Sequence, residues 1–271
     1  MATDVLRKKL DDSKRVIRDA FAKFPAERIA ASWTGGKDSG LVMTLIREVC
    51  REEGHPLPIV FSIDEGDMFP EIRHMLDTYS KEWGLNFVLA HNHDISGAAG
   101  GKLGAPVTVA ALSERNRREI ARLGYEEDQF NYEPESYVGN HLMKTVVMNQ
   151  FLEEHQIEAC FVGIRWDEQA ARVGEEYFSP RPATDLSPAH VRVHPILHFM
   201  ERDIWDATFA LKIPFCELYR RGYRSLGARV STVKAGDIAA WEQDLEHTSE
   251  RGGRRQDKEG LMDKMRSLGY M

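Results

Sequence analysis

Apolar positions recur along this chain at two alternating spacings. From Leu6 to Phe24 they follow the three-and-four spacing of an amphipathic helix. Shorter apolar runs then alternate with further helical stretches. Glu27 to Trp33 reads as a strand, Gly40 to Glu52 as a helix, and Pro58 to Ile63 as a second strand. Pro70 to Trp83 follows as a helix with its proline near the first turn, and Asn86 to Ala90 as a third strand. Tyr137 to Glu154 is helical, Ile157 to Gly163 is a fourth strand, and Val191 to Ile196 a fifth. This alternation predicts an α/β fold: a mostly parallel, twisted, five-stranded sheet with helices on both faces, Rossmann-like in its layering. Asp94 to Pro106, with four glycines and three alanines, reads as a mobile loop, and Glu175 to Pro188, with three prolines, as a second loop. After Glu201 come a helix, Arg202 to Leu211, and a polar tail, His247 to Met271. The expected organisation is an α/β unit over 1–200 and a helical, loop-rich extension with a polar tail over 201–271.

Composition narrows the function classes. Of 271 residues, 42% are hydrophobic and 29% charged, as in a globular protein with a sizeable core. The net charge of −7 disfavours a nonspecific nucleic-acid or membrane-surface binder, so neither partner is expected. Cys50, Cys160 and Cys216 are isolated, in apolar surroundings, with no pair spaced for zinc or an iron–sulfur cluster. Buried, reduced thiols fit a cytoplasmic protein. The first twenty residues hold no signal-peptide core, and no stretch reaches the length of a membrane span.

The chemistry concentrates where a parallel sheet places ligands, beyond the carboxyl ends of its strands. Ser32-Trp33-Thr34-Gly35-Gly36-Lys37-Asp38-Ser39-Gly40 joins the first strand to the following helix. Paired glycines let backbone N–H groups converge on phosphate oxygens, and the helix points its positive end at the same place. Ser39 or Asp38 can cap that helix, and Lys37 adds a mobile positive charge. The spacing is not that of a Walker loop. It resembles the PP-loop, Ser-Gly-Gly-x-Asp-Ser, of enzymes that split ATP between its α and β phosphates, with Thr34 where that pattern usually has Ser.

Two further segments reach the same edge. Asp64-Glu65-Gly66-Asp67 follows the second strand, and Ile164-Arg165-Trp166-Asp167-Glu168 the fourth. Arg165 and Arg172 can hold an oxyanion by bidentate hydrogen bonds, or Arg172 can simply pair with Glu168 at the favourable i,i+4 spacing. Lys144 sits mid-helix, where a solvated face is the plainer reading. His91 and His93 lack a third ligand at recognisable spacing and read as polar loop residues, so no metal ligands are assigned.

Several short motifs in a fixed order strengthen the resemblance. After the PP-loop come Phe69-Pro70-Glu71, Gly163-Ile164-Arg165-Trp166-Asp167-Glu168-Gln169, Pro195-Ile196 through Asp203-Ile204-Trp205, Ile213-Pro214, Leu218-Tyr219 and Gly222-Tyr223-Arg224-Ser225-Leu226-Gly227. Together they resemble the phosphoadenylylsulfate (PAPS) reductase family of PP-loop proteins, with its adenine nucleotide alpha hydrolase-like fold. His141-Leu142-Met143-Lys144-Thr145 and the tail Ser249-Glu250-Arg251-Gly252-Gly253-Arg254-Arg255-Gln256-Asp257, with Lys264 and Gly269-Tyr270, are most similar to the small, catalytic subunit of heterodimeric sulfate adenylyltransferases.

The resemblance implies adenylyl transfer from ATP, with Mg²⁺, to sulfate, and a GTPase large subunit as partner. Gly35, Gly36, Lys37, Asp38 and Ser39 would hold the pyrophosphate; Ser32, Trp33, Thr34, Ile63 and Asp64 would border the nucleotide, with Gly163 beside them. Trp33 and Trp166 are also placed to stack on a base. Lys37, Asp38, Arg165 and Arg172 are the catalytic candidates, Lys144 could contact phosphate, and Arg251 and Arg254 would close over the site. The departures bear on the acceptor. The tail from Arg251 to Met271 has no cysteine, which disfavours a thiol-based reductase, and Gly227-Ala228 stands where the family commonly has Gly-Cys. Trp166 replaces the second Arg of Arg-Arg-Asp-Glu, and Asp64-Glu65-Gly66 replaces Asp-Thr-Gly. Two alternatives follow: a PP-loop enzyme adenylating an organic acceptor, and a nucleotide-binding regulatory protein without turnover. The oligomeric state, a homo-oligomer included, is open.

Overall fold

The computed structural model describes residues 3–169 and 172–253. Its strands in chain order are β1 (Ile29–Ser32), β2 (Ile59–Ile63), β3 (Phe87–Ala90), β4 (Pro106–Thr108), β5 (Gln129–Asn131), β6 (Ala159–Phe161), β7 (Phe178–Arg181) and β8 (His190–Val193). The helices are α1 (Asp4–Lys23), α2 (Lys37–Glu53), α3 (Pro70–Glu82), α4 (His93–Ala98), α5 (Glu114–Arg122), α6 (Tyr137–Asn140), α7 (Val146–Glu154) and α8 (Glu201–Ala210). One turn of π-helix, His141–Thr145, joins α6 to α7.

The central sheet runs β3-β2-β1-β6-β8-β7. Every pairing is parallel except the last, in which Phe178 opposes Val193 and Arg181 opposes His190. The sheet therefore has six strands rather than the expected five. The added strand comes from the segment read as a loop because of its prolines. Pro180 stands inside β7, which is an edge strand, and an edge is where a residue without an N–H can be accommodated.

Side chains on alternate positions of the inner strands enter opposite layers, as the two-residue period of a strand requires. Ile29, Ala31, Val60 and Phe161 join the large core beneath α1, α2 and α3. Ala30, Phe61 and Cys160 join a smaller core with Phe151, Leu152 and Ile157 of the α7 side. Residues beyond 200 enter the large core too: Ile204, Trp205, Ile213, Tyr219 and Ala240 are buried with the β1 residues. The three thiols are all buried and free, and burial pushes Cys160 up to about 12.

The segment expected to be a mobile loop begins instead as α4. Asn92 caps it by accepting from the Ile95 amide at 3.3 Å, and Ile95 and Ala99 pack with Val107, Ile120, Phe130 and Leu142 in a third core beside the β4–β5 hairpin. Among the described residues no helix is long and apolar enough to cross a membrane.

The β8 end of the sheet makes stability depend on pH. His190 is buried, and burial pulls its ring from the ordinary 6.5 down to about 4. Burial also lowers His194 and His198. An unfolded chain would take up protons near pH 6.5 that the folded chain refuses until about 4. The stabilisation is thus complete above the unfolded value and is lost as pH falls through this window, with His190 contributing about 3 kcal/mol. The expected result is a melting temperature that declines steadily from pH 7 to pH 4.5. A flat profile over that range would show that these rings are not held neutral.

Candidate functional site

β1 ends at Ser32, and the chain turns through Gly35, whose φ is +73°. A side chain at Gly35 would be strained there, and its Cβ would come 3.0 Å from Ile72 Cγ2. Gly36 is the N-cap of α2 and makes no side-chain cap, so neither Asp38 nor Ser39 caps the helix as expected. Ser39 closes the turn instead: its Oγ accepts from the Thr34 amide at 3.2 Å and donates to the Gly36 carbonyl at 3.1 Å. The first turn of α2 is left with its amides pointing out of the helix, the usual anion-attracting arrangement. Tyr219 Oη accepts from the Lys37 amide at 2.9 Å, tying this turn to the chain beyond α8.

A cavity of about 350 Å³ opens at the carboxyl ends of β1, β2, β6 and β8. Ser32, Thr34, Gly36, Lys37, Asp38 and Ser39 form its glycine-turn wall. Ile63, Glu65, Asp67 and Met68 line the β2 side. Phe61, Met148, Val162 and Ile164 add apolar surface, and Arg192 and His194 bound it where β8 ends. The π-turn brings Lys144 and Thr145 to the wall, and Lys144 Nζ pairs with Glu65 at 2.8 Å. Behind that turn the buried His141 Nε2 meets Glu119 Oε2 at 2.8 Å.

Several expected site residues lie elsewhere. Trp33 is fully buried against Trp83 and Phe87, with ring centroids 5.3 and 6.0 Å away, and cannot stack on a base in the cavity. It follows Ser32 on the strand, so the side-chain alternation that turns Ser32 to the cavity turns Trp33 to the core. Trp166 packs on Tyr177 and donates its indole N–H at 2.9 Å to the carbonyl of Glu175, a wall residue, without lining the cavity itself. Asp64 closes its own turn by accepting from the Gly66 amide at 2.8 Å, while its neighbour Ile63 lines the cavity. Arg254 lies outside the described residues, as do Lys264, Gly269 and Tyr270.

The charged groups form one buried network rather than free arms. Lys37 is no mobile cation: its Nζ lies 2.6 Å from Glu250 Oε1 and 3.1 Å from the Arg224 carbonyl, with Asp38 at 3.5 Å and Glu201 at 3.7 Å. Burial works against its charge, but Asp38, Glu250 and Glu201 together hold the ammonium above the ordinary lysine value. Burial likewise opposes the Glu250 carboxylate, and Lys37 and Arg165 overcome it and hold that group well below the usual range. Arg165 stands behind the cavity wall, not on it. Its guanidinium donates to Asp38, to Asp167 Oδ1 at 2.8 Å and to Glu250 Oε2 at 2.5 Å. Asp167 in turn accepts the Glu201 amide at 2.9 Å, at the start of α8.

Arg172 takes the ion-pair reading, with Glu168 at the i,i+4 spacing, and also reaches the cavity. Arg251 reaches the same carboxylate at 2.7 Å and lines the cavity as well. Gly163 lines the opposite side, pressed against the helix start: a Cβ there would come 2.9 Å from the Ser39 nitrogen. Glu250, Tyr219, Arg192 and His194 are wall residues that motif reading passed over. Glu250 sits within the quoted tail motif beside Arg251, and Arg192 and His194 could have been found from the rule that strand ends carry ligands.

A family profile for the phosphoadenosine phosphosulfate reductase domain matches residues 28–234. The chain belongs to this family. Among its relatives, the probable FAD synthase of Caenorhabditis elegans is 26% identical over 229 residues, covering 83% of this chain and 34% of that protein. The chain thus spans about a third of that relative's length. Sulfate adenylyltransferase subunit 2 of Brucella anthropi is 25% identical over 250 residues, covering 83% of this chain and 71% of that one. In fold, the chain is similar to the Candida glabrata FMN adenylyltransferase in complex with ATP. The TM-score is 0.61 at 19% identity, covering 99% of this chain and 84% of that one.

Proposed function

We propose that this chain is an ATP α,β-cleaving adenylyltransferase. The observation that carries the proposal is the Gly35-Gly36 turn at the carboxyl end of β1, feeding α2 and walling a cavity large enough for a nucleotide. The pyrophosphate would lie on the turn from Gly35 to Ser39, with Ser32, Thr34, Ile63 and Gly163 bordering the nucleotide and Arg172, Lys144 and Arg251 facing its charge. An acceptor oxygen would attack the α-phosphorus, the bond to the bridging oxygen would break, and pyrophosphate would leave. Such a reaction needs positioning and charge neutralisation more than covalent help from the protein. Mg²⁺ bound to the triphosphate would spread its negative charge. None of the three cysteines lines the cavity, which argues against a thiol acceptor.

Sulfate is the acceptor suggested by the likeness to sulfate adenylyltransferase subunit 2, and with it a GTPase partner subunit. A second reading, FMN, is favoured by one observation. The cavity continues past the glycine turn along Phe61, Met148 and Val162 to Arg192 and His194, which gives an acidic group on an apolar body somewhere to sit. The test is pyrophosphate release from ATP and Mg²⁺ with sulfate or FMN added in turn, the products identified by mass. Adenylyl sulfate supports the first reading and FAD the second. AMP and pyrophosphate formed with neither acceptor present would show water taking the adenylyl group, and ATP binding without any release would overturn both acceptor readings.

A further inference from the structure

Lys37, in the glycine turn, and Arg165, paired with its neighbour Asp38, are both buried in ion pairs. Glu250 spans them, one carboxylate oxygen 2.6 Å from the Lys37 ammonium and the other 2.5 Å from the Arg165 guanidinium. Its side chain is 7% exposed and both cations 1%. Glu250 lines the cavity where Arg165 does not, so the carboxylate stands between Arg165 and the space a nucleotide would fill. A carboxylate bridging an ammonium and a guanidinium satisfies the same donors that a phosphate group would. Without Glu250, Lys37 and Arg165 would retain Asp38 as their shared carboxylate, beside the positive end of α2.

The segment that carries Glu250 is held at both ends by contacts of its own. Arg224 Nη2 donates to the Thr248 carbonyl at 3.0 Å, and Arg251 pairs with Glu168 at 2.7 Å. These contacts do not involve the Glu250 carboxylate, so they would remain if its side chain swung away from Lys37 and Arg165.

We propose that Glu250 is an internal stand-in for the terminal phosphates, and that the Thr248–Arg251 segment is a latch that the triphosphate displaces from Lys37 and Arg165. This rests on the adenylyltransferase reading of the same site. The triphosphate carries more negative charge than one carboxylate and wins the exchange, but its apparent affinity is reduced by the fraction of molecules with the latch in place. Closing the latch in the empty protein also keeps two buried cations neutralised, which an open site would leave to water.

The test uses the full chain, with ATP and inorganic pyrophosphate as separate probes in calorimetry and no acceptor present. Glu250→Gln keeps the shape and removes the charge. The expected result is that both probes bind the variant at least about fivefold more tightly than the natural chain. In the unmodified protein, hydrogen exchange over residues 244–253 should speed up when ATP is added. This second measurement decides the matter even where the variant folds poorly. Equal or weaker binding by a folded Glu250→Gln chain, or exchange that slows with ATP, would overturn the latch and leave the adenylyltransferase reading standing. Failure of both proteins to bind either probe would overturn both.

Discussion

Replacing Arg165 with Met should unfold this protein more readily than any change on the cavity wall. The guanidinium is fully buried and neutralises Asp38, Asp167 and Glu250 at once. Removing one partner of a buried pair leaves uncompensated charge and costs about 3–5 kcal/mol. In a chain of this size that corresponds to on the order of 10 °C in Tm. Pyrophosphate release should fall as well, by roughly 100-fold or more if Arg165 meets the phosphates when Glu250 leaves. The two effects separate in a double variant. Adding Glu250→Gln removes one of the stranded carboxylates and should restore part of the lost stability without restoring turnover. A single Arg165→Met protein that melts like the natural chain would show that the three carboxylates do not depend on it.

Gly163→Ala should act in the opposite proportion, with a large effect on rate and a small one on stability. The added Cβ would meet backbone and not a flexible side chain: the Ser39 nitrogen at 2.9 Å, the Asp38 carbonyl carbon at 3.0 Å and the Ser39 Cα at 3.1 Å. Backbone cannot rotate away, so the start of α2 must move off β6. Misplacing a phosphate-binding turn by about 1 Å is enough to cost roughly 100-fold in kcat/KM. No charge is stranded and no core volume is lost, so the melting temperature should change less than in Arg165→Met. Unchanged kcat/KM for pyrophosphate release in Gly163→Ala would remove the glycine turn from the reaction.

The contrast between these variants follows from how the charges are arranged. Lys37 in the wall and Arg165 behind it are both buried and wrapped in carboxylates contributed by α2, the chain after β6, and the segment after α8. Of the other cations on the wall, Arg172 and Arg251 are steadied by Glu168 and Lys144 by Glu65. Pairing of this kind orients a side chain at little cost in later freedom, which suits a site whose work is positioning.

The alternation of apolar runs was enough to place β1, β2, β3, β6 and β8 and the helices α1, α2, α3, α7 and α8, because buried strands and one-faced helices write their periods into the residues themselves. The glycine turn and its position between strand and helix were legible for the same reason: positive φ and close approach leave glycine in the sequence. The edge strand β7 was hidden by its prolines, since composition cannot report that a strand lies at an edge. The short helix α4 was hidden by Gly97 and the glycines just after it, since Ile95 and Ala99 are held by packing against residues as far along the chain as Phe130 and Leu142. The fate of each charged residue was decided in three dimensions alone. Lys37 and Glu250 are separated by 213 positions and Arg165 and Asp38 by 127, so no local spacing could pair them. Sequence determined where the chain can bend, cross the sheet and turn its helix-start amides toward the cavity; tertiary packing decided which cations lie beside that turn and which carboxylates pair with them, because ion pairing depends on distance in space and not on distance along the chain.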